Sequence, residues 1–481
     1  KKVFAMSGSD EEESFRKEAK KFERGPRVNT KRIKDRKLKG TLKKQQYLAQ
    51  KAANEAAKAQ ILLTEQAGYL EGEGLEKTAD FSQRDLLPHV DLQTASKMFD
   101  LVLDELGPYT IDYSHNGKEL LLCGKRGHVA MINWTSKKLI TEIYLNETCK
   151  DVKFLHNFTF FAVAQKKYTY IYDSKGAEIH RLNDMTTPTC LDFLRHHFLL
   201  VSVNDVGSLK YQDTSTGAPV ANIFTQLGPC NVLRQNPWNS IINLGHKNGT
   251  VTMWSPSTNE PLVKMQCHAS SVTSLGVDAT GKYLVTTGRD SRLKIWDVRT
   301  YKELYSYFTP IPASSVDISQ RGVVSVGCGN TVHMWKNCFT EEQSEPYMRH
   351  RLTRSNAESV RFCPFEDFLG VGHSSGFSSV VVPGSGEPNF DSYSANPYQT
   401  RKQQEEAEVQ ALLDKIQPEM IQLDPNSVGS ISRNAPAQRN MSNPYNKPKP
   451  LPNKRKNAPP TPESNPAKRS KIESKQPEDL Q

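Results

Sequence analysis

The sequence predicts an all-β fold, a seven-bladed β-propeller with an extended basic and helical N-terminal arm and a helical plus disordered C-terminal extension. The first observation is the stretch 268–299, where three alternating apolar runs are separated by turn residues at 279–282 and 288–291. This pattern predicts two successive hairpins of short antiparallel strands. The second observation is repetition, because similar units end on an aromatic residue at intervals of about 40 residues, the length of a four-stranded blade. Seven units, enough to close a ring, end at Trp134, Tyr172, Tyr211, Trp254, Trp296, Trp335 and near Val382.

The fifth of these units closes on a Trp-Asp pair and resembles a WD repeat. In such a blade four side chains form a buried chain of hydrogen bonds, and here they are His268, Thr286 or Thr287, Asp290 and Trp296. The aspartate lies in a turn, where it can accept hydrogen bonds from backbone N–H groups and from the imidazole. We predict that this network, with Thr286 as its first candidate threonine, stiffens the blade and performs no reaction.

Composition divides the chain on either side of the ring. Ala, Gln and Lys dominate 42–66, which predicts a long exposed helix that Gly68 ends. Beyond the ring, apolar residues at helical spacing in 403–416 predict an amphipathic helix that packs on the propeller in cis or on a partner. The predicted segments are a basic disordered arm (1–41), an exposed helix (42–68), a connector (69–92), the propeller (93–384), a C-terminal extension with the amphipathic helix (385–432) and a disordered basic tail (433–481).

Residues 96–106, just before the first complete repeat, have two interpretations. Phe99, Leu101 and Leu103 alternate with polar or smaller residues, which predicts a strand. Such a strand would complete the last blade and close the ring by strand exchange, so that no sheet edge stays open. A short helix that begins at Thr94 is the competing interpretation.

The net charge of +10 is concentrated outside the predicted ring. Residues 14–60 contain 16 Lys and Arg against 4 Asp and Glu, and their few apolar residues cannot form a core. Such a segment would order against a partner, with its cations on phosphates and its aromatic rings stacked on bases. A disordered arm that only supplies charge is the alternative. The candidate RNA-binding cations are Arg16, Lys17, Lys20, Lys21, Arg24, Arg27, Lys31, Arg32, Lys34, Arg36, Lys37, Lys39, Lys43 and Lys44.

Two further basic clusters lie close together in the predicted tail. Their arrangement is similar to that of a bipartite nuclear-import signal. The candidate import residues are Lys454, Arg455, Lys456, Lys468, Arg469 and Lys471.

Several classes of function lack their sequence signature. The eight cysteines show no CxxC or zinc spacing, and the sequence contains no phosphate loop, HExxH or GxSxG, so we expect no enzyme, metal or cofactor. The adjacent His196 and His197 lack further ligands for a metal. No apolar run has the length of a membrane span and the first residues lack a signal-peptide pattern, so we expect neither membrane spanning nor secretion.

Several stretches resemble one family more specifically than a generic WD repeat does. They include CGKRGHVAMINW (123–134), FAVAQKKYTYIYD (161–173), LGHKNGTVTMWSP (244–256), CPFEDFLGVGH (363–373) and IQLDPNSVGS (421–430). These stretches are similar to those of nucleolar WD-repeat proteins with a BING-four-type C-terminal domain, which are subunits of the small-subunit processome. The resemblance covers about residues 20–430.

The resemblance implies a non-catalytic scaffold in the nucleolus. The family is associated with the U-three small nucleolar ribonucleoprotein and with processing of the precursor to 18S ribosomal RNA. The implied partners are therefore other processome proteins, precursor ribosomal RNA and U-three RNA, with no small-molecule substrate and no membrane. On this interpretation the propeller docks other subunits and the arm threads between RNA and protein.

Two other functions are open at this point. The sequence from Trp296 to Arg299 is a WDxR box of the kind that substrate receptors of cullin ubiquitin ligases use, which makes Arg299 a candidate adaptor contact. The same four residues also arise in ordinary blades, where the arginine is simply solvated. A reader of histone tails or phosphopeptides is the third hypothesis, and it predicts one acidic or aromatic pocket on the top of the ring.

Overall fold

A computed structural model of the chain describes residues 30, 33–63, 67–72, 74, 76–353, 355–389 and 400–425, apart from the side chains at 55 and 57–63. These residues contain seven four-stranded antiparallel sheets, which confirms the predicted seven-bladed β-propeller. In blades one to six the four strands follow one another in sequence, as expected when short turns connect neighbouring strands.

The strands are numbered in chain order, and those of each blade are given from the inside of the ring outwards. The first strand of the chain is β1 (Asp100–Val102). Blades one to three are β2–β5 (Tyr109–Tyr113, Glu119–Gly124, His128–Asn133, Lys138–Tyr144), β6–β9 (Cys149–Phe154, Phe160–Gln165, Tyr168–Asp173, Glu178–Thr186) and β10–β13 (Pro188–Leu194, Leu199–Asn204, Ser208–Asp213, Pro219–Phe224). Blades four to six are β14–β17 (Cys230–Gln235, Ile242–His246, Thr250–Trp254, Val263–Gln266), β18–β21 (Val272–Val277, Tyr283–Gly288, Arg292–Asp297, Lys302–Phe308) and β22–β25 (Ser315–Ile318, Val324–Cys328, Thr331–Trp335, Met348–Arg351). Blade seven is β26–β28 (Ala357–Phe362, Phe368–His373, Gly376–Val381) followed by β1.

The second strand of each blade is almost completely buried. Because every blade packs between two others, this strand is covered on both faces. All six residues of β3 are buried, including Leu120, Leu121 and Leu122. The first strands of neighbouring blades contact one another around the whole ring, and β26 contacts β2, so these strands form the inner wall.

Strand exchange closes the ring, and a short helix precedes the exchanged strand. β1 pairs with β28 in antiparallel register, with Leu101 opposite Phe377. The rings of Phe99 and Phe377 pack with their centroids 5.7 Å apart. A short helix is also present, Leu92–Lys97, but it begins two residues before the predicted Thr94 and ends three residues before the strand, so it precedes the strand and does not replace it.

The N-terminal helix begins earlier than predicted. Helix α1 is Arg36–Leu63, so the boundary between arm and helix at Leu42 is wrong by six residues. The physical reason is the cap: the carboxylate of Asp35 accepts a hydrogen bond from Lys37 N at 2.8 Å, which satisfies one of the free N–H groups of the first turn. The apolar pattern of the helix gave no sign of this start.

The predicted connector 69–92 is partly helical. It contains α2 (Gln83–Leu86) and the start of α3 (Leu92–Lys97), together with 3-10 turns at Thr78–Asp80 and Leu87–His89. Ser82 caps α2 through a reciprocal pair of hydrogen bonds with Asp85.

The C-terminal helix lacks the buried apolar face that the sequence predicted. Helix α4 is Arg401–Leu413, capped by Thr400, and none of its residues is buried. Val409, Leu412 and Leu413 are all exposed. A 3-10 turn follows at Pro418–Met420.

The ring has two ends, which we call face A and face B. Face A consists of the turns between first and second strands and between third and fourth strands, and face B of the turns between second and third strands and the connections from one blade to the next. Antiparallel connection alone places these turns at opposite ends.

Candidate functional site

The chain segments outside the ring cover part of face A. On blade seven, the side-chain amide of Gln83 donates to Val381 O at 3.0 Å and accepts from Val381 N at 2.8 Å. Lys97 forms an ion pair of 2.6 Å with Glu366 in the first turn of the same blade. The segment before the propeller is therefore fastened to the blade that it completes.

The C-terminal extension crosses face A of blades two, three and four. Glu408 of α4 lies 2.9 Å from His156 Nε2 in blade two. Ile416 N donates to His196 O at 3.0 Å in blade three, and Ile421 O accepts from Ser255 Oγ at 2.8 Å in blade four. Packing in cis thus occurs through polar groups and the residues after the helix, and the buried side chain is Ile421, which the sequence analysis missed.

Six of the predicted RNA-binding cations lie in the described part of the arm. Lys34 precedes α1 and the others lie in its first half; all are exposed except the half-buried Lys39. Tyr47 lies among them with 67 % of its surface exposed. Within the described residues, no ion pair engages any of these six cations, which are Lys34, Arg36, Lys37, Lys39, Lys43 and Lys44.

The remaining predicted basic residues lie outside the described residues. In the arm they are Arg16, Lys17, Lys20, Lys21, Arg24, Arg27, Lys31 and Arg32, and in the tail Lys454, Arg455, Lys456, Lys468, Arg469 and Lys471.

The structure brings His268, Thr286, Asp290 and Trp296 together in blade five. Trp296 Nε1 donates to Thr286 Oγ1 at 3.0 Å, and the same hydroxyl lies 2.9 Å from His268 Nε2. His268 Nδ1 lies 3.1 Å from both carboxylate oxygens of Asp290. The hydroxyl accepts the indole proton and donates its own to Nε2, which leaves the Nδ1 proton for the carboxylate. Thr287 is outside this chain and bonds to Thr273 Oγ1 at 3.1 Å.

Removing the central hydroxyl is expected to weaken the blade. Thr286→Val keeps the shape of the side chain but leaves the buried groups of His268 and Trp296 without their shared partner. We expect the free energy of unfolding to fall by about 1–3 kcal/mol, measured by urea denaturation followed by tryptophan fluorescence. Thr300→Val, at an exposed turn position of the same blade, is the matched control. Equal stability of the two variants would contradict a structural role for the network.

Blade four contains a second network that the sequence analysis missed. Trp254 Nε1 donates to Thr252 Oγ1 at 2.8 Å, and this hydroxyl lies 2.7 Å from His246 Nε2. His246 Nδ1 faces Cys230 Sγ at 3.2 Å, so a thiol occupies the place of the aspartate. The histidine ends the second strand instead of preceding the first, which hides it from the WD-repeat pattern. Burial lowers the pKa of His246 to about 4.

His246 is expected to make the protein sensitive to acid. Its folded pKa of about 4 lies below the ordinary value of about 6.5, so between these pH values the unfolded chain binds the proton more readily. The free energy of unfolding therefore falls as the pH drops from about 6.5 to about 4, and His246→Gln should show less of this fall in urea denaturation at several pH values. His89→Gln, at an exposed position, controls for the loss of one imidazole. An unchanged pH dependence in His246→Gln would rule out this assignment.

Six charged residues occupy equivalent positions on the inner wall, and we call them the charge ring. Each directly follows a buried aliphatic residue in the first strand of its blade. Their signs alternate around the wall, and in blade five Gly276 occupies the position. The charge ring consists of Asp112, Lys153, Asp192, Arg234, Asp317 and Arg361, from blades one, two, three, four, six and seven.

Ion pairs of the charge ring join neighbouring blades. Lys153 Nζ lies 3.1 Å from Asp112 Oδ1 and 3.6 Å from Asp192 Oδ1. Arg361 Nη1 lies 3.3 Å from Asp317 Oδ1. One lysine thus links three consecutive blades.

Backbone hydrogen bonds repeat the same linkage. Arg234 extends past the glycine of blade five, and its Nε donates to Leu275 O at 3.2 Å. Each aspartate of the charge ring also accepts a backbone hydrogen bond from the next blade. The donor is the N–H group of the residue that directly follows the charge-ring cation of that blade. The donors are Phe154 N to Asp112 at 3.1 Å, Gln235 N to Asp192 at 2.9 Å and Phe362 N to Asp317 at 2.8 Å.

Burial and pairing compete in the charge ring. Burial raises the pKa of Asp317 to about 6, against the opposing effects of Arg234 and a backbone N–H group. Burial also raises the pKa of Asp112, opposed by Lys153. For Lys153, burial lowers the pKa, but the carboxylates of Asp112 and Asp192 outweigh it and the pKa lies above the ordinary value. The ammonium group therefore stays charged because it sits between two acids.

Arg299, the candidate adaptor contact, is bound within its own turn. Its Nε and Nη2 lie 3.1 and 3.0 Å from the two carboxylate oxygens of Asp297, while 60 % of its side chain is exposed. This bidentate pair accounts for the arginine within an ordinary blade.

The described residues contain neither a cluster of metal ligands nor a helix that could span a membrane. No group of three or more His, Cys, Asp or Glu side chains there could hold a metal ion, and His196 and His197 instead contact the C-terminal extension. None of the helices described is both long and apolar enough to cross a bilayer.

Comparison with known proteins identifies the family. The chain is 44 % identical over 440 residues to the U3 small nucleolar RNA-associated protein 7 of Saccharomyces cerevisiae, a match that covers 87 % of this chain and 79 % of that protein. It is 43 % identical to WD repeat-containing protein 46 of Mus musculus, over 86 % of this chain and 67 % of the mouse protein. The chain belongs to the family that includes these two proteins. The human WD repeat-containing protein 46 is 44 % identical, and there the match covers 78 % of this chain and 62 % of the human protein.

Two domain models match within the chain and revise one predicted boundary. The WD domain, G-beta repeat, matches residues 259–297, which run from the last strand of blade four through the third strand of blade five. The BING4CT (NUC141) domain matches residues 346–424. This match confirms the predicted resemblance to BING-four-type proteins. The family-specific domain, however, begins before the predicted boundary at 385 and includes β26–β28 of blade seven.

Proposed function

We propose that this chain is a non-catalytic scaffold subunit of the small-subunit processome that supports maturation of 18S ribosomal RNA from its precursor in the nucleolus. The propeller would dock other processome proteins, and the N-terminal arm would contact precursor ribosomal RNA and U-three RNA. The observation that carries the proposal is the row of cations in the first half of α1, which form no ion pair with any described residue, in a family whose yeast member is named for its association with U3 small nucleolar RNA.

The position of these cations is unfavourable for the helix itself. Backbone dipoles make the N-terminal end of a helix positive, so basic side chains there lower helix stability. Arg36, Lys37 and Lys39 all lie in the first turn or directly after it, and the first turn contains no acidic residue. A binding role explains this arrangement, because phosphate groups would supply the missing negative charge.

The ring and its extensions suit a scaffold. The charge ring and the exchanged strand make the seven blades one closed body, and residues 83–97 and 408–421 contact face A. A body of this kind presents fixed surfaces to several partners at once, which is the physical requirement of an assembly platform. The basic clusters at 454–456 and 468–471 would bring it into the nucleus.

Incorporation into pre-ribosomal particles tests the proposal. A tagged variant in which the six described arm cations are replaced by alanine keeps the helix-forming composition of α1. We expect it to remain folded but to shift from the pre-ribosomal fractions of a sucrose gradient to the free fractions. Normal incorporation of this variant would contradict an RNA-contacting arm.

A control variant removes the same charge elsewhere. It replaces six exposed cations of the propeller and the C-terminal helix, and it should sediment like the wild type. The control positions are Lys138, Lys175, Lys282, Lys302, Arg321 and Lys402.

A further inference from the structure

One sector of face B carries exposed cations beside an exposed aromatic ring. Lys247 lies in the turn between β15 and β16, and Arg289 and Arg292 lie in and directly after the turn between β19 and β20. Phe308 ends β21 with 74 % of its surface exposed, and its Cα is the register partner of Arg292. With Ile311, which is 46 % exposed, these residues form what we call the blade-five patch.

Backbone hydrogen bonds join the pieces of this patch. Gly249 O, in the turn of Lys247, accepts from His268 N at 3.1 Å, and Arg289 N donates to Ser271 O, in the loop that follows His268, at 2.9 Å. Thr309 N, next to Phe308, donates to Ser291 O at 2.9 Å. The cations and the ring therefore lie on one continuous surface.

The cations of the blade-five patch have no counterion within the described residues. Elsewhere on face B, Lys125 pairs with Glu358 at 3.4 Å and Lys150 with Asp205 at 3.0 Å. The acid nearest in sequence to the patch cations is Asp290, and both its carboxylate oxygens face His268. Asp290 offsets one of the three positive charges, and the net positive charge that remains in this sector is left for a ligand to neutralise.

We propose that the blade-five patch binds single-stranded RNA. Arg289, Arg292 and Lys247 would contact successive phosphates, and Phe308 would stack against one unpaired base. The exposed ring favours RNA over an acidic peptide, because a flat aromatic surface beside guanidinium groups matches the alternation of base and phosphate along a strand. An RNA duplex would keep its bases out of reach of the ring. This surface is separate from the N-terminal arm and goes beyond the proposed function.

A binding experiment with the purified full-length chain tests the proposal. Fluorescence anisotropy measures the affinity for a fluorescein-labelled oligouridine of about 12 nucleotides over a range of salt concentrations. Phe308→Ala should lower the affinity about tenfold without changing the salt dependence, because stacking involves no counterion release. Arg289→Ala combined with Arg292→Ala should lower the affinity and reduce the slope of log K against log salt by about 1.4, about 0.7 for each phosphate contact. Phe308→Trp should bind like the wild type.

Matched controls separate this surface from the arm. Lys282→Ala removes one exposed charge on face A of the same blade and should leave the affinity unchanged. Since Phe308, Arg289 and Arg292 are exposed, thermal melting should confirm that their variants stay folded. The proposal would be overturned if both Phe308→Ala and the double arginine variant bound oligouridine within twofold of the wild-type affinity. It would also be overturned if these variants lost binding to polyglutamate, an acidic peptide, while they kept binding to oligouridine. Loss of binding in the arm variant alone would leave the proposed function standing and refute the patch.

Discussion

Lys153→Met is expected to lower the free energy of unfolding by about 3–5 kcal/mol, since removing one partner of a buried ion pair leaves an uncompensated charge. The ammonium group lies between Asp112 and Asp192, whose side chains are only 6 % and 4 % exposed. Without this ammonium group, the carboxylates of Asp112 and Asp192 lose the positive charge between them. Urea denaturation followed by tryptophan fluorescence measures the loss.

The pH dependence of this variant checks the cause. Burial already raises the pKa of Asp112 in the wild type, and loss of Lys153 removes the largest of the effects that oppose it. A carboxyl group with a raised pKa in the folded state binds a proton more readily there than in the unfolded chain, so folding becomes more favourable as the pH falls through the folded-state pKa. The stability defect of Lys153→Met should therefore shrink in acid. A defect that is independent of pH would point to lost packing instead.

The triple variant Lys153→Met, Asp112→Asn, Asp192→Asn is the control for an unpaired charge. An asparagine side-chain oxygen can still accept the backbone hydrogen bonds of Phe154 and Gln235, so only the charges are removed. We expect the triple variant to recover most of the lost stability. If it is less stable than the single variant, the charge-ring explanation is wrong.

Replacing the six described arm cations by alanine is expected to lower the affinity for single-stranded RNA by on the order of 100-fold at low salt. Each cation that neutralises a phosphate contributes about 0.7 to the slope of log K against log salt, so the slope should fall by about 4. Tyr47→Ala, in the same helix, should lower the affinity while keeping the slope, because its ring carries no charge. Fluorescence anisotropy with labelled RNA measures both quantities.

The propeller control variant described above removes an equal number of cations. It should retain the wild-type slope, which would show that position and not total charge determines binding. Equal losses in the two variants would mean that the arm supplies only diffuse charge, the alternative that the sequence left open.

The fold could be predicted because its signals are local. Alternating apolar runs and turn residues define each hairpin within about ten residues, and repetition at about 40 residues then gives the ring. The blade-five network was predictable for the same reason, because His268, Asp290 and Trp296 stand at the spacing of a regular repeat. The exchanged strand and the helix before it, at 92–102, were each predicted as alternatives, and both are present.

The charge ring could not be recognised within any one repeat. Asp112 and Lys153 each look like an ordinary polar residue of a half-buried strand, and only superposition of the repeats shows that the charges alternate. The network of His246 and Thr252 escaped for a related reason, since His246 ends the second strand of its blade whereas His268 precedes the first strand of blade five.

Helix α4 shows the limit of periodicity. The spacing of Val409, Leu412 and Leu413 correctly indicated a helix near these residues but not what would cover its apolar side. The helix contacts the ring through Glu408, and the apolar residue that becomes buried is Ile421, in the irregular segment that follows. A helical pattern identifies a face, whereas the partner of that face depends on the whole fold.

Crosslinking of the tagged protein to RNA in cells, with both the crosslinked peptides and the RNA sequenced, tests the central claim most directly. We predict crosslinked peptides from residues 14–60, joined to precursor ribosomal RNA or U-three RNA. Peptides from 289–308 in the same experiment would add the blade-five patch. The contradicting result has two parts: no RNA is crosslinked, and a cullin adaptor dominates the proteins that co-purify and is lost on Arg299→Ala. This result would support a ligase receptor in place of the scaffold.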